Sequence, residues 1–203
     1  MITISGEGCW SDQPDTAPSL FAIGVGLGRL PRWAGQTRDE YSVLAHSIVV
    51  AELLPPHLRV HGLLHDAPEI VVGDCMATWK TDADRQREAV ILARIYAKLG
   101  LDMPTMIERD LVKQADMDAR YAEAWELGFA NGDVDALERW FALPDEDTID
   151  AGAVERARRL TCREAKWLEA YRQPSTAGTR FAGAVGLWLA VARGEVDPIP
   201  SEV

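Results

Sequence analysis

Positive charge is what this chain is shortest of: 21 lysines and arginines stand against 32 aspartates and glutamates, a formal net charge of -11. So acidic a surface repels a polyphosphate backbone instead of displacing its counterions, which argues against long nucleic acid as a partner. A small phosphorylated substrate is still allowed, because one bound divalent cation can dominate the local field whatever the net charge. Cysteine is scarce too. Cys9, Cys75 and Cys162 are scattered and odd in number, with no CxxC spacing to suggest zinc or a redox pair, and a reducing compartment is the natural expectation. No stretch approaches the roughly 20 apolar residues of a membrane span, and MITISGEGCW lacks the basic start and continuous apolar run of a signal peptide. The expected location is the cytoplasm, with no membrane partner. Alternating strand patterns of useful length and internal repeats are also missing, so the expected class is all-α.

What is present is enough for one substantial core: 203 residues, of which 47% are hydrophobic. A single domain over 1–203 is expected, with an irregular Gly- and Pro-bearing segment at 1–18 and C-terminal helices over 133–203. A first helix is expected at about 19–30, a second from Arg38 to Leu54 stopped by Pro55 and Pro56, and a third from His57 to about Val72 ended by Gly73. Long helices should follow at about 82–99, capped by Gly100, and 104–130, closed by Asn131 and Gly132. Two more are expected at about 133–142 and 150–172. The segment Arg180–Arg193 is apolar nearly all round, which places it in the core or against another subunit, and a homo-oligomer is the expectation. GVGLG at Gly24–Gly28 imitates a dinucleotide fingerprint, but no strand precedes it and the spacing is wrong; close backbone packing is the expected reason for these glycines.

All four histidines, His46, His57, His61 and His65, fall within one short stretch. The strongest element is HDAPE, where His65 stands beside Asp66 and Glu69 follows on the same helical face. An imidazole and a carboxylate inside the apolar run GLLHDAPEIVV are costly to bury without a partner, and a metal ion would supply one. His46, within AHSIVVA, points inward by its periodicity. Asp116 aligns with Leu111, Val112 and Ala115 on the apolar side of its helix. Two imidazoles and two carboxylates suit manganese, cobalt, nickel, iron or zinc, with open positions for water and phosphate oxygens. His57 and His61 continue the spacing of four back from His65, but a first helical turn is where solvated polar residues sit, and they are not counted as ligands.

The order "His, then HD, then Asp" over three helices resembles the HD-domain phosphohydrolases. The blocks PRW, YSVLAHS, LLHDAPE, VGD and LVKQAD, spread over about 30–120, are similar to the 5'-deoxynucleotidases of that superfamily and to phage relatives that include dATP triphosphohydrolases. The resemblance implies a helical bundle with the metal site between core helices, a divalent cation held by His46, His65, Asp66 and Asp116, and magnesium where further ions accompany the substrate. It also implies catalytic roles for Glu69, relaying a proton to or from the attacking water, and Asp74, contacting the sugar or positioning the nucleophile. Arg32 would bind phosphate, Trp33 would pack against the deoxyribose and Lys80 would reach a phosphate. The implied function is hydrolysis of a phosphate ester in a small deoxynucleotide, by a cytoplasmic protein that a phage could equally encode for its host. Mono- and triphosphate substrates stay open, as do a catalytically silent nucleotide-binding or interaction module and hydrolysis of another phosphorylated small molecule.

Overall fold

The computed structural model describes residues 17–75, 79–128, 149–166 and 168–198. Among the described residues there is no strand, only an isolated antiparallel bridge between Pro31 and Ser42, and the class is all-α. The expected helix at 133–142 and nearly all of the segment 1–18 lie outside the described residues.

Helix α1 (Leu20–Arg29) starts where the Ser19 hydroxyl accepts from the Ala22 N–H. α2 (Val43–Leu53) starts at Ser42 in the same way, and every residue from Val43 to Ala51 is buried. It begins later than Arg38 because the preceding residues run extended, with Arg32 N–H bonded to Tyr41 O and Val43 N–H to Leu30 O. α2 is the axis of the molecule. Leu44 and Ile48 join one apolar cluster with Ile23, Leu27, Leu64, Ile95 and Phe181. Val49 and Val50 join a second with Leu58, Val112, Ala119, Val154 and Ala157.

The segment expected as one helix from His57 to Val72 is divided into a 3-10 turn at Pro56–Leu58, α3 (Arg59–Leu64) and α4 (Glu69–Val72). Pro68 is the physical reason. It has no N–H to return to Leu64, so Ala67 N–H takes Leu64 O at 3.0 Å and Glu69 N–H takes Asp66 O at 3.0 Å, and the chain turns through His65–Pro68. α5 (Asp82–Leu99) and α6 (Met106–Leu127) each open with a capping box, Thr81 with Asp84 and Thr105 with Glu108. α6 stops at Gly128, short of the expected Asn131, because the Arg38 N–H binds Leu127 O and the Arg38 guanidinium binds Glu126 O. α7 (Ala151–Ala165) and the short α8 (Leu168–Tyr171) divide the helix expected over 150–172. Tyr171 donates its hydroxyl to the buried Glu164 carboxylate.

α9 (Pro174–Ala192) begins earlier than Arg180, with Pro174 in its first turn. It buries one face, through Ala177, Phe181 and Val185, against the same chain, while Gly183 and Gly186 are exposed; burial on all sides is not observed. Among the described residues no helix is long and apolar enough to cross a membrane.

The α1–α9 contact explains two of the glycines in GVGLG. A Cβ on Gly24 would lie 2.6 Å from Phe181 Cβ and 2.7 Å from Ala177 O, and one on Gly28 would lie 3.0 Å from Tyr171 O. Neither backbone oxygen can rotate away. Gly24→Ala is therefore expected to destabilise the fold by about 1–3 kcal/mol through overpacking. Urea denaturation checks this: the midpoint should fall with the slope unchanged, and a midpoint equal to the wild type's would contradict the packing argument.

Candidate metal centre and its cleft

Three elements converge on one point. α2 supplies His46, whose side chain is fully buried; the turn after α3 supplies His65 and Asp66; α6 supplies Asp116. One donor atom from each of His46, His65 and Asp116 lies within 4.8 Å of the others, and this group could hold a metal ion. His46 Nε2 is 3.0 Å from Asp116 Oδ1, and His65 Nε2 is 3.9 Å from the same oxygen. Asp66 Oδ2 stands alongside, 3.2 Å from His65 Nε2 and 3.6 Å from His46 Nε2.

Each imidazole is held from behind. His65 Nδ1–H donates to Gly62 O at 2.7 Å, so its Nε2 faces the cluster, and that buried atom makes no hydrogen bond. His46 Nδ1–H donates to Glu123 Oε1 at 2.7 Å. A buried ring nitrogen without a hydrogen bond beside two carboxylates fits a cation.

The charges respond as their surroundings dictate. Burial and the Arg32 guanidinium both push His46 down, yet Glu123 and Asp116 carry its pKa up to about 10. His65 is likewise raised: burial opposes it, and Asp66 and Asp116 prevail. Burial would raise Asp116, but the hydrogen bond and charge of His46 hold it at about 2. Asp66 lies well below the usual carboxylate range, against its burial, because of His65 and His46. These are the marks of cations drawn into an acidic cluster.

An open cleft with about 480 Å³ of empty space meets the cluster at Asp66 and Asp116. Of the residues expected from the sequence, Arg32, Trp33, Glu69, Asp74 and Lys80 also line it. Glu69 is 4% exposed, and its pKa is pushed up to about 9 by burial first and then by Asp66 and Asp74. Lys80 is tied to two acids, 3.4 Å from Glu69 Oε1 and 2.7 Å from Glu88 Oε1. Asp74 holds the PRW segment, with Oδ2 accepting the Trp33 N–H at 3.0 Å and Oδ1 lying 3.8 Å from Arg32. That grip has a reason. Trp33, Ala34 and Gly35 run successively at φ of 56, 52 and 75°, and two of the three are residues for which the left-handed region is strained.

His57 and His61 stay out of the cluster. His57 is exposed, while His61 is buried, its Nδ1 2.9 Å from the Tyr96 hydroxyl and its ring stacked on Tyr96. Sequence reasoning missed Arg120, Glu123 and Glu88. Arg120 lines the cleft with its guanidinium 5.3 Å from the centre of the Trp33 ring, which Arg32 also approaches, at 5.4 Å. A signal existed: Arg120 and Glu123 fall four and seven places after Asp116, on the same face of α6.

No family model matches the chain. Over 138 residues it is 33% identical to "Uncharacterized protein RCAP_rcc00048" of Rhodobacter capsulatus, an alignment that covers 61% of this chain and 68% of that protein. Over 134 residues it is 33% identical to "Uncharacterized protein YfdR" of Escherichia coli, covering 64% of this chain and 73% of that protein.

Proposed function

The chain belongs to the family of these two bacterial proteins, whose names state no activity, and from its own residues we propose a metal-dependent phosphohydrolase that acts on deoxynucleotides. The observation that carries this reading is the His46–His65–Asp116 cluster, opening onto a cleft that three cationic side chains, Arg32, Lys80 and Arg120, also line. With Asp66 as a further ligand, two imidazoles and two carboxylates suit manganese, cobalt, nickel, iron or zinc, and magnesium would accompany substrate phosphates. When bound, such an ion polarises a phosphoryl oxygen and lowers the pKa of water.

The protein's own groups do the rest. Arg32 presents a planar fork to phosphate oxygens from a partly buried position beside Asp74 and Glu123, and Lys80 adds a point charge. Trp33, which both Arg32 and Arg120 approach, offers a rigid wall against which a deoxyribose packs and a 2'-hydroxyl is crowded. Glu69, with its pKa near 9, carries a proton at neutral pH and can deliver it to the departing ester oxygen. When the charges of its acidic neighbours are neutralised, the same carboxyl can instead take a proton from water. Asp74 positions Trp33 and Arg32 and faces the cleft beside them.

The test is direct. Protein stripped of metal and restored with manganese or cobalt is offered dAMP, dATP and their ribose counterparts, and products are resolved by chromatography. Deoxyadenosine with phosphate from dAMP, or with triphosphate from dATP, is the expected result, and the ribose substrates should turn over more slowly. No product from either deoxynucleotide, with metal bound, would overturn the proposal.

A further inference from the structure

Glu123 is an anion with no exposure to solvent, seven residues beyond Asp116 on α6. Both of its oxygens face groups of the candidate site. Oε1 accepts the Nδ1–H of His46 at 2.7 Å, and Oε2 lies 3.5 Å from Nε of Arg32. A carboxylate can only accept, so in the neutral ring the single proton belongs on Nδ1 and the lone pair of Nε2 points to Asp116 and Asp66. Arg32 does not obstruct that direction. Its terminal nitrogen is nearly equidistant from the two ring nitrogens, at 3.3 Å and 3.4 Å, which lies along neither lone pair.

We infer that Glu123 is a positioning residue that fixes His46 as an Nε2 metal ligand and, with the same carboxylate, sets Arg32 beside it, aligning the cation and phosphate subsites from one buried anion. The inference rests on reading the cluster as a metal centre. It gives the anion a purpose that packing does not, since a charge in the interior is costly unless its partners need it. Partners behind metal-ligating imidazoles typically contribute roughly 10–100-fold in metal affinity.

The full chain is titrated with cobalt and with zinc against a competing chelator, and the imidazole nitrogens of His46 are observed by 15N NMR in the zinc-loaded protein. Glu123→Ala should weaken both metals by roughly 10–100-fold and remove the protected Nδ1–H signal. Glu123→Gln keeps the volume, and its amide oxygen can accept the same bond, so it should restore most of the affinity and the signal. Unchanged affinity in folded Glu123→Ala would overturn the inference. If the alanine variant does not fold, the wild-type spectrum decides: a proton on Nε2 and metal on Nδ1 would overturn it as well. His46→Ala separates the two levels, because wild-type metal binding in that variant would remove the metal-centre reading itself.

Discussion

Asp116→Asn should leave a folded helical protein that retains no divalent cation and shows no deoxynucleotide turnover above that of metal-stripped protein. The side chain is a third exposed, at 34%, and belongs to no apolar cluster, so the substitution removes little packing. What it removes is the charge that faces both imidazoles, 3.0 Å from one and 3.9 Å from the other. Asparagine keeps the shape, but a neutral amide oxygen replaces an anion in a site built for a hard or borderline cation. Metal content after dialysis and the thermal midpoint with and without manganese read the result. A ligand that binds only the folded state raises the midpoint, so the wild type should gain stability from metal and the variant should not. A variant that keeps full metal content and full turnover would remove Asp116 from the ligand set.

Metal affinity should climb steeply with pH. In the metal-free protein His46 holds a proton up to about pH 10, and that proton must leave before Nε2 can donate to a cation. The apparent affinity for manganese or cobalt is therefore expected to rise by about tenfold per pH unit from neutrality upward, with at least one proton released per ion. Calorimetry in buffers of different ionisation enthalpy counts those protons. The metal-free fold should respond in the opposite sense. His46 is raised from its ordinary 6.5 to about 10, so the stability it contributes is complete below 6.5 and is lost as pH rises through about 10. Glu69, raised from 4.5 to about 9, acts in the same direction over its own interval. Stripped protein should melt lower in mildly alkaline than in mildly acid buffer while binding metal more tightly there. Affinity independent of pH would show that His46 does not ligate the ion.

These expectations were legible in the sequence to different depths. The span of α5 could be read closely because its ends are local: Thr81 and Asp84 form one, and Gly100, at φ 59°, the other. The C-terminus of α6 could not, because its last carbonyls are taken by Arg38, a residue far away in sequence. His65, Asp66 and Glu69 announced themselves as polar groups inside an apolar run. Glu123 was marked only by its spacing of seven from Asp116, and an acid in a charged helix looks solvated until α2 is packed against it. Lys80 illustrates the converse. Its place in the cleft was expected from the resemblance, but its attachment to Glu88, eight residues on, depends on how the chain before Thr81 folds back along α5, which no helical spacing states.

The position of α2 has a consequence for how long the site lasts. His46 is carried by a helix buried from Val43 to Ala51, with only Glu52 and Leu53 at its end partly exposed, whereas Glu69 belongs to the four-residue α4, whose remaining residues are only half-buried. Backbone openings in a protein span from local fraying to global unfolding, and a core helix such as α2 lies at the costly end of that range. The floor of the cleft therefore shares the lifetime of the fold, while its rim can breathe on its own. His46 would hold its place toward a cation for as long as the chain stays folded, and the traffic of ion, substrate and product would fall to the open side of the cleft.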